Sequence, residues 1–165
     1  MPAQRARAAR TSRAMARTWP GGCQCGQVRY RIDADRVKTL CCCHCRDCQK
    51  QSGSAFGMSL IVPREALVLE RGSLSVWEHR SARGSLKRAH FCPRCGGRLF
   101  NDGGEASVLV SVKAGTLDDT AALRPAGHLW TRRAQAWVQI PASALHYEGE
   151  PERDDDLNEA YHREA

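Results

Sequence analysis

The chain predicts a mostly β fold of antiparallel strands, with metal-binding cysteine turns at strand ends. Short alternating or apolar stretches recur between turn residues, which is typical of strands. No stretch of the central region keeps a period of 3.6 residues for three turns, so long helices are not expected there. Most of the nine cysteines fall into three closely spaced motifs. A length of 165 residues favours one domain.

The predicted strands are short and follow one another closely. Pro20-Gly21-Gly22 is a breaker that opens the folded region, and residues 27–33 then alternate polar and apolar side chains as a half-buried strand does. One short helical turn is expected over residues 46–52. The other predicted strands cover residues 37–43, 55–62, 66–69, 74–79, 86–91, 98–100, 107–112 and 137–140.

Charge divides the chain into three parts. We expect a disordered Arg-rich leader over residues 1–18, a zinc-binding domain over residues 19–147 and an acidic tail over residues 148–165, which is a weak and frayed helical candidate. The leader resembles a transit peptide in composition, although disorder or a true start at Met15 is the favoured interpretation. The net charge of +7 suits an anionic partner or an ordinary solvated surface.

Cysteine usage indicates the compartment. The sequence has no apolar run long enough for a membrane span and no signal-peptide core. An odd number of cysteines in short motifs favours metal thiolates over disulfides, and therefore a reducing compartment such as the cytoplasm.

Two cysteine motifs that lie far apart in sequence predict a structural zinc. A C-x-C pair and a C-x-x-C pair are each followed by glycine, which allows the tight turn that brings two thiols onto one metal. Together they supply the four thiolates of a closed tetrahedral site: Cys23, Cys25, Cys92 and Cys95.

The third motif predicts a second zinc, held by Cys43, Cys45 and Cys48. Three thiolates leave one coordination position open, and a thiol that binds zinc there is deprotonated and held as a nucleophile. Cys41 could instead close the site, because it points to the same side of an extended strand as Cys43. Cys42 would then point to the core, and His44 is a further possible ligand. Spacing alone leaves open and closed sites as alternatives.

The cysteine motifs resemble those of the glutathione-dependent formaldehyde-activating enzyme family, which also includes centromere protein V. The resemblance covers about residues 19–140 and rests on GCQCGQVRY at 22–30, CHCRDCQK at 43–50 with SGS at 52–54, FCPRCG at 91–96, and GTLDD at 115–119 with Pro125, His128, Trp130 and Trp137. It implies a β-tent fold, a structural zinc on the first four cysteines and a catalytic zinc on Cys43, Cys45 and Cys48. The implied reaction joins formaldehyde and glutathione into S-hydroxymethylglutathione, a carbon–sulfur lyase class in reverse.

Other side chains have less specific expectations. His90 is expected near the structural zinc, His128 as a packed and hydrogen-bonded histidine, and Asp118 and Asp119 in a turn. Three tryptophans are expected in the core: Trp77, Trp130 and Trp137. Arg132-Arg133 and the basic residues between Arg83 and Arg88 are expected on a solvated face, although they could bind anions.

The favoured function is a zinc-dependent enzyme, with two zinc ions per chain, that adds a thiol such as glutathione to a small aldehyde or catalyses the reverse. The alternative is a non-catalytic zinc module whose basic surface binds nucleic acid or an acidic protein. Nucleic acid is disfavoured because the chain lacks an aromatic-rich basic patch and a recognition helix. A redox sensor using Cys41 and Cys42 is a weaker idea. The sequence does not indicate the oligomeric state.

Overall fold

The computed structural model describes residues 17–81 and 84–164. Most of the expected leader, and Arg83, lie outside these residues. The described strands are β1 Thr18–Gly22, β2 Arg29–Asp33, β3 Thr39–Cys43, β4 Gly57–Pro63, β5 Leu67–Arg71, β6 Ser75–Arg80, β7 Leu86–Phe91, β8 Arg98–Asp102, β9 Leu109–Lys113, β10 Gly127–Leu129 and β11 Leu145–His146. The described α-helices are α1 Arg46–Ser52 and α2 Asp155–Glu164. No helix among these residues combines the length and apolar character needed to cross a membrane.

The strands form two sheets, which confirms the mostly β prediction. A three-stranded sheet has the order β1-β2-β5, and an eight-stranded sheet has the order β11-β10-β3-β4-β9-β8-β7-β6. All neighbours are antiparallel except at one end of the larger sheet, where β10 runs parallel to both β3 and β11. The larger sheet is therefore mixed, a feature that the sequence did not predict.

The larger sheet has one apolar and one mostly polar face. Alternate residues of β3, β4 and β9 are almost completely buried in a core that also receives Tyr30 and Ile32 from the smaller sheet: Leu40, Leu60, Val62, Val110 and Val112. The intervening residues point to the other side and line a cavity: Thr39, Cys41, Cys43, Ser59, Ile61, Leu109, Ser111 and Lys113. Because strand side chains alternate between faces, the same three strands build both the core and the cavity wall.

Most predicted strands are present, with shifted ends, and α1 coincides with the predicted helical turn. The prediction of a strand at residues 137–140 was wrong, because these residues form a turn and irregular chain. Pro20 does not precede the first strand but lies within β1. A proline is tolerated at this position because β1 is an edge strand of its sheet. The core prediction was also wrong for two tryptophans, since Trp77 is 50% and Trp137 is 71% exposed.

The acidic tail forms helix α2, and this helix is packed rather than frayed. Leu157 is only 1% exposed and Ala160 is also buried. The Thr39 hydroxyl of β3 donates a hydrogen bond to the Leu157 carbonyl oxygen at 3.0 Å. The tail is polar overall, but its apolar side chains lie three and four residues apart, so one face can pack onto the domain.

We expect Leu157→Ala to lower the free energy of unfolding by roughly 3 kcal/mol, because it removes a fully buried side chain and leaves a cavity. Urea denaturation followed by circular dichroism measures this change, and hydrogen exchange of the α2 amides shows whether the helix detaches. The exposed neighbour Glu159→Ala is the control. Equal stability of the two variants would contradict a docked α2.

Candidate metal centres

Four cysteine sulfurs meet between the two sheets. The Sγ atoms of this four-cysteine group all lie within 4.8 Å of one another: Cys23, Cys25, Cys92 and Cys95. Cys25 Sγ is 3.5 Å from Cys23 Sγ and 3.8 Å from Cys92 Sγ. A tetrahedral site with Zn–S bonds of about 2.3 Å places neighbouring sulfurs about 3.8 Å apart. The group therefore fits a four-thiolate metal ion.

Each of the two cysteine pairs is held by a tight turn. Cys23 directly follows β1, and Cys92 directly follows β7. The amide of Gly26 donates to the Cys23 carbonyl and that of Gly96 to the Cys92 carbonyl, both at 2.9 Å. Both glycines have positive φ values, 73° and 71°, which other residues rarely adopt. The glycines after the cysteine pairs thus have the role that the sequence predicted.

Backbone amides point at the sulfurs of this group. Val28 N donates to Cys23 Sγ at 3.2 Å. The amides of Cys25 and Gly97 lower the pKa of Cys95 to about 6. These donors stabilise thiolates, which are the forms that bind metal.

A second cluster, the three-cysteine group, contains Cys43, Cys45 and Cys48, whose sulfurs also lie within 4.8 Å of one another. Cys43 ends β3, and Cys45 is the N-cap of α1, where its sulfur accepts from Cys48 N at 3.4 Å. Hydrogen bonds from the Cys43 and Cys48 side chains lower the pKa of Cys45 to about 2, and the same contact raises the pKa of Cys43. Without a metal ion, negative charge is therefore favoured on Cys45, and the pKa of Cys48 is raised to about 11.

The neighbouring residues do not complete this group. Cys41 lies on the cavity side of β3, as expected, but its sulfur is not among those within 4.8 Å of one another. Cys42 is 2% exposed and absent from the cavity lining. His44 is fully buried, and its Nε2 is 2.9 Å from Nδ1 of His128. Among the described residues, the group that could hold a metal ion here consists of three cysteines.

The three-cysteine group lies on the wall of a cavity of about 430 Å³. The cavity face of β3, β4 and β9 forms one side of it, and α1, the segment around Trp130 and the tail contribute others. Its charged lining includes Arg46, Lys113 and Arg133, together with Asp102 and Asp154. A small polar molecule could therefore approach the three sulfurs and meet charges of both signs.

Comparison with known proteins identifies the family. The family model described as "Glutathione-dependent formaldehyde-activating enzyme" matches residues 18–133. The chain belongs to this family. The matched region contains both cysteine groups and ends before β11 and α2.

Individual relatives are distant. A Halomonas elongata protein named "Putative glutathione-dependent formaldehyde-activating enzyme" is 27% identical over 124 residues, which are 73% of this chain and 79% of that protein. The crystal structure of a Rhodobacter sphaeroides protein aligns with a TM-score of 0.46 and 17% identity, over 62% of this chain and 91% of that chain.

The remaining candidates from the sequence have other partners in this family member. His128 is packed and hydrogen-bonded, as predicted. His90 stacks on Phe100 and its Nε2 lies 2.8 Å from Asp102 Oδ2. Asp118 forms a two-pronged ion pair with Arg29. These contacts explain the residues as structural groups.

Sequence reasoning missed Lys113, which projects into the cavity from the last position of β9. The predicted strand at residues 107–112 ended one residue too early. The alternation of side chains along β9 could have identified Lys113, because Leu109, Ser111 and Lys113 are spaced two residues apart and share one face.

We expect the purified chain to contain two divalent metal ions, and Cys45→Ser to contain one while keeping its fold. Elemental analysis and circular dichroism measure both properties. Cys42→Ala, which alters a cysteine outside both groups, should keep two ions. A single ion in the unaltered chain would contradict the two-site assignment.

Cys92→Ser should be unfolded or insoluble. A structural zinc contributes about 10–16 kcal/mol of apparent binding energy, which is comparable to the entire stability of a typical domain. Because this variant yields little protein, stepwise chelation of the unaltered chain is the second measurement. Loss of one ion should leave the far-UV spectrum unchanged, and loss of the other should unfold the chain. A native spectrum after both ions are removed would contradict the structural role.

Proposed function

We propose that this chain is a zinc-dependent enzyme that adds a thiol, such as glutathione, to a small aldehyde, such as formaldehyde, or cleaves the product in reverse. The observation that carries the proposal is a three-cysteine group on the wall of a cavity with charged residues. The family to which the chain belongs supports the choice of glutathione and formaldehyde. In reaction class, this is carbon–sulfur bond formation and cleavage.

The two cysteine groups have different proposed roles. The four-cysteine group supplies four ligands and matches a closed structural zinc site. The three-cysteine group supplies three, which leaves a position for an incoming thiol. A zinc ion bound there would keep that thiol deprotonated near neutral pH.

The chain's own residues bind and orient the substrates. Arg46 and Arg133 line the cavity, and a thiol with carboxylates, such as glutathione, has suitable partners for both. Arg133 lies over the ring of Trp130, with Cζ at 5.6 Å from the ring centroid, and Arg46 donates to Gln49 Oε1 at 3.1 Å. These contacts hold both guanidinium groups in place at the cavity wall.

The cysteine content supports a reducing compartment. All nine cysteines are described and none forms a disulfide. Because metal thiolates persist where disulfides are reduced, we place the enzyme in the cytoplasm.

The test measures exchange between formaldehyde and its glutathione adduct by NMR, above the spontaneous rate. We expect the unaltered chain to accelerate exchange, and Cys45→Ser to lose the acceleration together with glutathione binding detected by native mass spectrometry. Cys42→Ala should retain both, because Cys42 lies outside both cysteine groups.

Absence of both acceleration and glutathione binding in the two-zinc protein would reject the enzyme proposal. Salt-sensitive binding of nucleic acid or an acidic protein by the same preparation would then favour the non-catalytic alternative.

A further inference from the structure

We propose that Lys113 is a further catalytic residue, whose ammonium group binds the aldehyde oxygen as the thiol adds to the carbonyl carbon. This inference rests on the proposed function. It goes beyond the cysteine ligands by assigning the group that stabilises charge on the second substrate.

The sheet register places Lys113 on the same cavity face as Cys43 of the three-cysteine group. Cys41 of β3 pairs with Ser59 of β4, and Ser59 pairs with Lys113 of β9. Residues paired in this way point to the same face, so the three form a row across the cavity wall. Cys43 lies two residues beyond Cys41 on that face. With strands about 4.8 Å apart, Lys113 begins about 10 Å from β3 and extends its long stem into the cavity.

The ammonium group has neutral partners. Lys113 Nζ is 3.5 Å from Ser59 Oγ. Nζ is also 3.2 Å from the side-chain amide of Asn101. When the amide oxygen of Asn101 accepts from Nζ, its amide nitrogen donates to the Phe100 carbonyl oxygen. No ion pair found among residues 17–81 and 84–164 includes Lys113. A shielded ammonium without a carboxylate partner is costly, and an anion bound in the cavity would lower that cost.

Burial and neighbouring charges both act on the pKa of Lys113. Burial lowers the pKa of Lys113, the positive charge of Arg98 lowers it further, and the charges of Cys48 and Cys43 oppose this shift only in part. The cysteine sulfurs are thus the neighbouring groups that favour the charged form of Lys113. The other cavity guanidiniums differ, because Arg46 is bound to Gln49 and Arg133 lies on Trp130.

The addition balances with Lys113 as a hydrogen-bond donor. The sulfur of the deprotonated thiol forms a bond to the carbonyl carbon, and the π electrons of the C=O bond move onto oxygen. The Lys113 ammonium donates a hydrogen bond to this developing oxyanion. The oxygen then takes one proton from water, and the hydroxide left behind combines with the proton that the thiol released on binding. Cleavage follows the same steps in reverse.

The first experiment compares kcat and KM for the two-zinc protein and Lys113→Met, with Lys38→Met as a control that removes an exposed lysine. Loss of one oxyanion donor typically lowers kcat by about 10²–10³-fold. We expect this loss with glutathione and equally with 2-mercaptoethanol, which has no carboxylate, while KM for the thiol and the metal content change little. Lys113→Arg should recover part of kcat because it keeps the charge.

Two outcomes would overturn the assignment. A loss in kcat smaller than about threefold would show that Lys113 does not bind the reacting oxygen. A defect confined to glutathione and expressed as a higher KM would show that Lys113 binds a carboxylate of the thiol instead.

A binding measurement without aldehyde separates this inference from the proposed function. Calorimetry compares mercaptoacetate, which carries an anionic oxygen near its sulfur, with neutral 2-mercaptoethanol. We expect the unaltered chain to prefer mercaptoacetate by about tenfold, the effect of one charge-assisted hydrogen bond. Lys113→Met should lose the preference and Lys38→Met should keep it. An unchanged preference in Lys113→Met would overturn the placement of Lys113, whereas absent turnover by the unaltered chain would overturn the function itself.

Discussion

Crowding of four cysteine sulfurs at the junction of the two sheets is the constraint on which the architecture depends. The four-cysteine group joins the end of β1, in the smaller sheet, to the β7–β8 turn of the larger sheet. Thiolates at 3.5–3.8 Å repel one another unless a cation lies between them. Amides directed at Cys23 and Cys95 favour the thiolate forms of these two residues. A metal ion bound by these four sulfurs would therefore link the two sheets in a way that the apolar core alone does not.

Strand β3 imposes a second constraint, because one of its faces packs in the core and the other lines the cavity. Leu40 packs in the core, whereas Cys41 and Cys43 point into the cavity. Gly57 of β4 pairs with Cys43 and allows α1 to approach β4 closely, since a Cβ at Gly57 would lie 3.2 Å from Cys48 Cβ. A larger residue there would push Cys48 away from Cys43. The three-cysteine group thus depends on packing beneath it as well as on the spacing of its cysteines.

The sequence was most informative where structure depends on local spacing. The C-x-C and C-x-x-C turns, α1 and most strands follow from residues a few positions apart, and these are present. The sequence was least informative where a strand depends on pairing partners that are far away in the sequence. Strands β10 and β11, with three and two residues, are too short to show alternation, and β10 forms only because β3 and β11 lie beside it. The exposure of Trp77 also depends on distant partners, because Trp77 lies on β6, an edge strand of the larger sheet.

The cavity is built partly from the region that matches the family and partly from the tail. The cysteine groups and Lys113 lie within residues 18–133, which match the family model. Part of the cavity wall does not, because Glu150, Asp154 and Leu157 belong to the tail. Burial of Leu157 and its hydrogen bond to Thr39 hold that wall against β3. The matched region therefore contains both cysteine groups, whereas the tail shapes part of the cavity that leads to the three-cysteine group.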